Sequence, residues 1–139
     1  MKTMFEIPGI GQVSMEDTLI CYDEPFLYTI RSNKNERFLV FQSEITATHD
    51  IHWYSRIADE EYQKYLDGEI EMRAPFVERD EILETYWDYI LGVYTQSRWL
   101  KPEELNTKML PIPGARLKMK NSLCTHVGLS ATAITTKEI

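Results

Sequence analysis

Phe26-Leu27-Tyr28-Thr29-Ile30-Arg31-Ser32-Asn33-Lys34-Asn35-Glu36-Arg37-Phe38-Leu39-Val40-Phe41 sets two apolar, aromatic-rich runs on either side of a short polar segment. Aromatic and β-branched side chains suit a pleated surface, and a Ser/Asn-rich interruption supplies turn chemistry, so the stretch reads as a β-hairpin. Working upstream, Asp23-Glu24-Pro25 breaks the chain before this hairpin, and Gln12 to Tyr22 carries two short β-type stretches. Pro8-Gly9-Ile10-Gly11 is a turn that opens the first of them.

Downstream, Glu44 to Asp50 is polar and reads as a loop or an irregular edge, and Ile51 to Ile57 has strand composition. Asp59 suits a helix N-cap, with Glu60 and Glu61 complementing the dipole of a helix from Glu60 to about Leu66. Tyr62, Tyr65 and Leu66 would share one side of it, and Gly68 would end it in a left-handed conformation. Glu69 to Arg73 alternates polar and apolar residues like a short edge strand, which Ala74-Pro75-Phe76 would stop. Ile82 to Tyr94 satisfies both periods. A period of two aligns Leu83, Thr85, Trp87 and Tyr89, and a period of 3.6 aligns Leu83, Trp87, Ile90 and Tyr94; its β-branched and aromatic content favours strand. Pro102 opens a short helix, and Leu110-Pro111-Ile112-Pro113-Gly114 is a rigid turn. The expected fold is α+β: an antiparallel, curved sheet of five or more strands with one or two short helices packed on one face. Residues 1–120 would form one domain and 121–139 an extension.

The net charge of −7 opposes direct binding to a nucleic-acid backbone, which needs clustered Lys and Arg. Acids dominate from Asp59 to Asp88, where only Lys64, Arg73 and Arg79 oppose them, and the balance reverses from Arg98 to Lys120. Such asymmetry reads either as a solvated acidic face or as a means of steering a charged partner. Cys21 and Cys124 stand alone, without disulfide-framework or zinc spacing. No run approaches the length of a membrane span and no signal segment opens the chain, so a cytoplasmic location is expected.

The order of these punctuation marks resembles that of a family of small, uncharacterised bacterial domains. The resemblance rests on Tyr22-Asp23-Glu24-Pro25 between the opening strands and on Leu110-Pro111-Ile112-Pro113-Gly114 near the close, within about Gly9 to Leu117. Both motifs are turn chemistry, and the resemblance implies a fold without implying a substrate or a catalytic residue.

Candidate sites are few. Asp50 and His52 would share a strand face with His49 turned away, a ligand set that a metal-dependent hydrolase would need to complete from elsewhere. Glu69 with Glu71, and Glu84 with Asp88, are carboxylate pairs better explained by a solvated strand face than by acid–base work. No phosphate-binding loop and no nucleophile elbow is present, and no cofactor is implied. The rings Trp53, Tyr54, Trp87, Tyr89, Tyr94 and Trp99 exceed what one small core usually needs, and they read either as packing for the sheet or as an interface. Trp53, Tyr54, Trp87, Tyr89 and Trp99, with Glu60 and Glu61 as a charged rim, are the expected interface. The expected function is a non-catalytic accessory, immunity, antitoxin-like or inhibitor protein with a protein partner, and a homodimer is compatible with the same surface. The alternatives are a small-ligand module with a pocket between sheet and helix, and the metal-dependent hydrolase.

Overall fold

A computed structural model describes residues 3–22 and 24–117. Asp23, Cys124 and the extension 121–139 lie outside the described residues. The hairpin that decides the fold is present as strands β3 (Glu24–Ser32) and β4 (Arg37–Ile45), with Tyr28 opposite Val40 and Ile30 opposite Phe38. Its turn is held by Ser32, whose Oγ accepts the backbone N–H groups of Lys34 at 3.1 Å and Glu36 at 3.2 Å. Asn35 takes the left-handed conformation at φ 64°, which Asn tolerates better than most residues.

Five more strands extend this hairpin: β1 (Met4–Ile7), β2 (Gly11–Tyr22), β5 (His49–Arg56), β6 (Ile82–Asp88) and β7 (Val93–Leu100). All seven lie in one sheet in chain order, each antiparallel to its neighbour, and the sheet curls into a half-barrel. Two short helices, α1 (Asp59–Leu66) and α2 (Ala74–Val77), join β5 to β6. Two 3-10 turns, Pro102–Glu104 and Thr107–Met109, follow β7.

The middle of the sheet is buried on both faces, which is why Phe38-Leu39-Val40-Phe41 is apolar at every position rather than at alternate ones. Leu39, Phe41 and Trp53 join Tyr62 and Tyr65 of α1, Phe76 of α2, and Leu105, Leu110, Ala115 and Leu117 of the closing segment. Phe38, Val40 and Tyr54 point the other way, into a second cluster with Ile7, Val13, Ile30 and Leu83. Among the described residues no helix covers this second face; the curl does. The β1–β2 turn reaches across to β6 so closely that a Cβ on Gly9 would stand 2.9 Å from Leu83 Cδ1.

Polar bonds fix how α1 docks. The register of β2 against β3 shifts between Met15 and Thr18, so Glu16 and Asp17, adjacent in sequence, both serve the helix-bearing face. Glu16 accepts from Arg31 Nη2 at 2.7 Å and Arg37 Nε at 2.9 Å, and Asp17 Oδ2 accepts the Tyr62 hydroxyl at 2.7 Å. The Arg37 guanidinium lies 4.3 Å from the centroid of the Tyr62 ring. Burial raises the Glu16 carboxyl, yet hydrogen bonds and charge from Arg37 and Arg31 outweigh it and hold the group below the usual carboxylate range.

Several local expectations change. Gln12 to Tyr22 is one long bulged strand rather than two short stretches. Glu44 to Asp50 is mostly strand, because β4 runs to Ile45 and β5 begins at His49, leaving a tight turn held by Thr46. Asp59 is the first residue of α1, not its cap; Ala58 is the N-cap. Glu69 to Arg73 forms no strand, since the Met72 N–H is taken by the Ala115 carbonyl at 2.8 Å and no ladder partner runs alongside. Ala74-Pro75-Phe76 opens α2 instead of stopping a strand, with Pro in the first turn where its missing N–H costs nothing. Ile82 to Tyr94 resolves as two strands around a turn, so the period of two was the right one.

Gly68 ends α1 as expected, at φ 79°, and a Cβ there would meet the Leu117 carbonyl oxygen at 2.8 Å. Replacing Gly68 with Ala should cost on the order of 2 kcal/mol in urea unfolding, from backbone strain and a clash with backbone that cannot step aside. An unchanged midpoint would show that the closing segment does not pack where described.

Candidate functional site

The expected interface residues divide by strand. Trp53 and Tyr54 are buried to 3% and 2% exposure, on opposite faces of β5, so neither ring presents a contact surface. A central strand buries both faces, and these two rings fill the two cores. Glu60 is exposed on α1, whereas Glu61 is half-buried and paired with Arg79 at 2.5 Å. Trp87, Tyr89 and Trp99 all lie on the β6–β7 hairpin, Trp87 and Tyr89 at its turn and Trp99 at the opposite end, across from Leu83. Trp87 packs edge-on against Tyr94 with centroids 4.8 Å apart, and Tyr89 and Trp99 are both exposed.

That hairpin is the least covered part of the sheet. Its turn carries Ile90 at 74% and Leu91 at 66% exposure, followed by Val93 at 48%. The turn is rigid despite its exposure, because Asp88 Oδ1 accepts the N–H groups of both Ile90 and Leu91 at 2.8 Å. Tyr89 donates its hydroxyl to Asp50 Oδ1 at 2.8 Å, tying the turn to β5. Strand β7 ends the sheet, and only Leu100 in it is buried. Its outer edge therefore offers a row of backbone donors and acceptors, with Val93 and Tyr94 at one end, Trp99 and Leu100 at the other and polar side chains between.

A buried carboxylate holds β7 in place. Trp53, Glu84 and Arg98 stand directly opposite one another on β5, β6 and β7. Glu84, 6% exposed, accepts Trp53 Nε1 at 2.9 Å on one oxygen and Arg98 Nε at 3.1 Å on the other. Sequence reading placed Glu84 on a solvated face; the residues opposite it across two strands were the missing information.

On the concave face, Tyr28, His52, Tyr54, Thr85 and Tyr94 make a polar patch among apolar neighbours. The Tyr54 and Thr85 hydroxyls are 3.0 Å apart, and the His52 ring packs against Tyr28 and Tyr54. His52 Nδ1 is shielded from solvent and has no hydrogen-bond partner among the described residues. Burial pushes the imidazole down to about 4, against a weaker upward pull from Asp50. His49 faces away, as the strand period requires, and sits 3.5 Å from Asp88. His49, Asp50 and His52 therefore form no ligand set, and no three His, Cys, Asp or Glu side chains gather for a metal among the described residues. The chain also has, among those residues, no helix long and apolar enough to cross a membrane.

An apolar slot of about 230 Å³ opens between the sheet and the closing segment, lined by Phe26, Phe41, Met72, Met109, Leu110 and Ile112 among others. Its only neighbours from the helical region are at Met72, after α1. No family model, no curated protein and no solved structure matches the chain.

Two outcomes test this geometry. Because His52 is held neutral in the fold, stability is fully present above pH 6.5, falls as the pH drops and the unfolded chain takes up the proton, and levels near 4, where the folded imidazole also charges. Urea titrations should show the wild type losing about 2–3 kcal/mol more than His52→Phe across that window; parallel curves would mean His52 is solvated. Arg98→Ala should cost about 1–3 kcal/mol by leaving the Glu84 charge half-compensated, and adding Glu84→Gln should recover much of it. Additive losses would show that the two side chains do not interact.

Proposed function

We propose that this is a non-catalytic binding protein whose contact surface is the β6–β7 hairpin: a partner strand adds to the free edge of β7, and apolar partner groups cover Ile90, Leu91 and Val93. The observation that carries the reading is the combination of an eight-residue edge strand, exposed at nearly every position, with a rigid apolar turn at its end. Exposed apolar clusters of this kind mark contact sites, and strand addition is a recurrent way to bind through a sheet edge. Tyr89 at the turn and Trp99 at the other end of the same edge are exposed rings of the kind that dominates binding energy in such contacts. The accessory, immunity, antitoxin-like and inhibitor roles all fit one partner protein held in this manner.

Charge mimicry of nucleic acid draws less support. The acids between Asp59 and Asp88 are dispersed, and several are committed within the fold: Asp59 to Arg37, Glu61 to Arg79, Glu84 to Trp53 and Arg98, and Asp88 to the hairpin turn.

The double variant Ile90→Asp, Leu91→Asp replaces side chains that touch solvent, so its stability should stay within about 0.5 kcal/mol of wild type. Co-purification from the source cells at native abundance should recover a stoichiometric partner with the wild-type chain and lose it with the variant. A concentration-dependent dimer abolished by the same changes would identify the partner as a second copy. Retention of the partner by the variant, or recovery of none with wild type, would refute the assignment.

A further inference from the structure

At the end of the half-barrel remote from the β6–β7 turn lies an open cleft of about 780 Å³. It is lined by Phe38 of β4, Arg56 at the end of β5, Arg79, Asp80 and Glu81 of the connection into β6, and Trp99 and Lys101 at the end of β7. Phe38 and Arg56 are cross-strand partners, and the Arg56 guanidinium lies 5.2 Å from the centroid of the Phe38 ring.

The charges on this lining are unequally committed. Arg79 is spent, since Nη2 binds Glu61 and Nε binds the Arg56 carbonyl. Arg56 meets Glu36 only at 3.4 Å, with both side chains in solvent, and an ion pair of that kind holds little energy. The Lys101 ammonium and the Asp80 and Glu81 carboxylates make no ion pair or hydrogen bond among the described residues. Two cations and two anions are thus available around a half-exposed indole.

We propose that the cleft binds a zwitterion with a flat apolar body: a free aromatic α-amino acid or an aromatic dipeptide, each of which carries an ammonium and a carboxylate on one small molecule. A purely anionic ligand would face Asp80 and Glu81, and a purely cationic one would face Arg56 and Lys101. A ligand with both signs satisfies both pairs while its ring covers Trp99. A polyphosphate would outnumber the two cations left available among the described residues of the lining. The site shares Trp99 with the β7 surface but does not rest on partner binding, because its charged residues lie off the β7 edge.

Phenylalanine, phenylacetate, phenethylamine and the dipeptide Phe-Phe separate these possibilities when titrated into the full chain, followed by calorimetry and the Trp99 indole NMR signal. Phenylalanine or Phe-Phe should bind at least about tenfold tighter than either singly charged analogue, as expected for one added satisfied charge contact. The better of those two identifies a free amino acid or a dipeptide as the source. Lys101→Gln with Arg56→Gln should erase the advantage over phenethylamine, and Asp80→Asn with Glu81→Gln the advantage over phenylacetate; these residues are exposed, so melting temperature serves as the folding control. Equal affinity for all probes, or no movement of the Trp99 signal at millimolar ligand, would overturn the proposal.

Discussion

The buried carboxylate of Glu84 is the constraint on which the outer part of the sheet depends. Strands β3, β4 and β5 are secured by apolar contacts on both faces, whereas β7 gives Leu100 to one core and the partly buried Tyr94 to the other. Glu84, bonded inward to the indole of Trp53 and outward to the guanidinium of Arg98, adds a side-chain tie from β7 across β6 to the core that the backbone ladder alone does not make. A carboxylate this far from water is costly unless its lone pairs are filled, so the pairing is specified strongly even where packing is sparse. Trp99 and the β6–β7 turn inherit their positions from that pairing, and so does one wall of the cleft.

The two edges of the sheet are treated differently. Strand β1 has only four residues, includes Glu6, and curls over the concave face with the Gly9 turn seated against Leu83. Short, charged or covered edges are the usual protection against unwanted strand pairing. Strand β7 has twice that length, lacks Pro and Lys, and spends its one charge, Arg98, on Glu84. Its neighbouring turn adds Ile90 and Leu91 to the exposed surface without using them in any core. An edge protected on one side and open on the other is consistent with a contact made at the open side.

The central hairpin was legible because its information is local: apolar runs, a Ser/Asn turn and strand-compatible side chains all fall within Phe26 to Phe41. The period of Ile82 to Asp88 and the division of His49 from His52 were legible for the same reason. The rest depends on partners far away in sequence. Glu69 to Arg73 alternates like a strand, yet its backbone is satisfied by Ala115, a residue more than forty positions on. The β2 bulge is invisible until Arg31, Arg37 and Tyr62 are in place to receive Glu16 and Asp17. Trp53 and Trp99 look alike in composition; only strand order makes the first a core residue and the second a surface one.

This difference between central and edge strands also explains why counting aromatic residues marked too broad a surface. A half-barrel with a core on each face absorbs rings in two layers, and Phe38, Phe41, Trp53, Tyr54, Tyr62, Tyr65 and Phe76 are consumed there. The surplus that is left concentrates where one strand has no neighbour. His52 marks the boundary between the two regimes: its ring is packed between Tyr28 and Tyr54 like a core residue, while its Nδ1 goes unbonded. Asp50, two residues away on the same face, takes the Tyr89 hydroxyl and so couples that boundary to the exposed turn. The exposed turn and the buried polar patch therefore meet at Asp50, where the concave face relies on hydrogen bonds as well as on apolar packing.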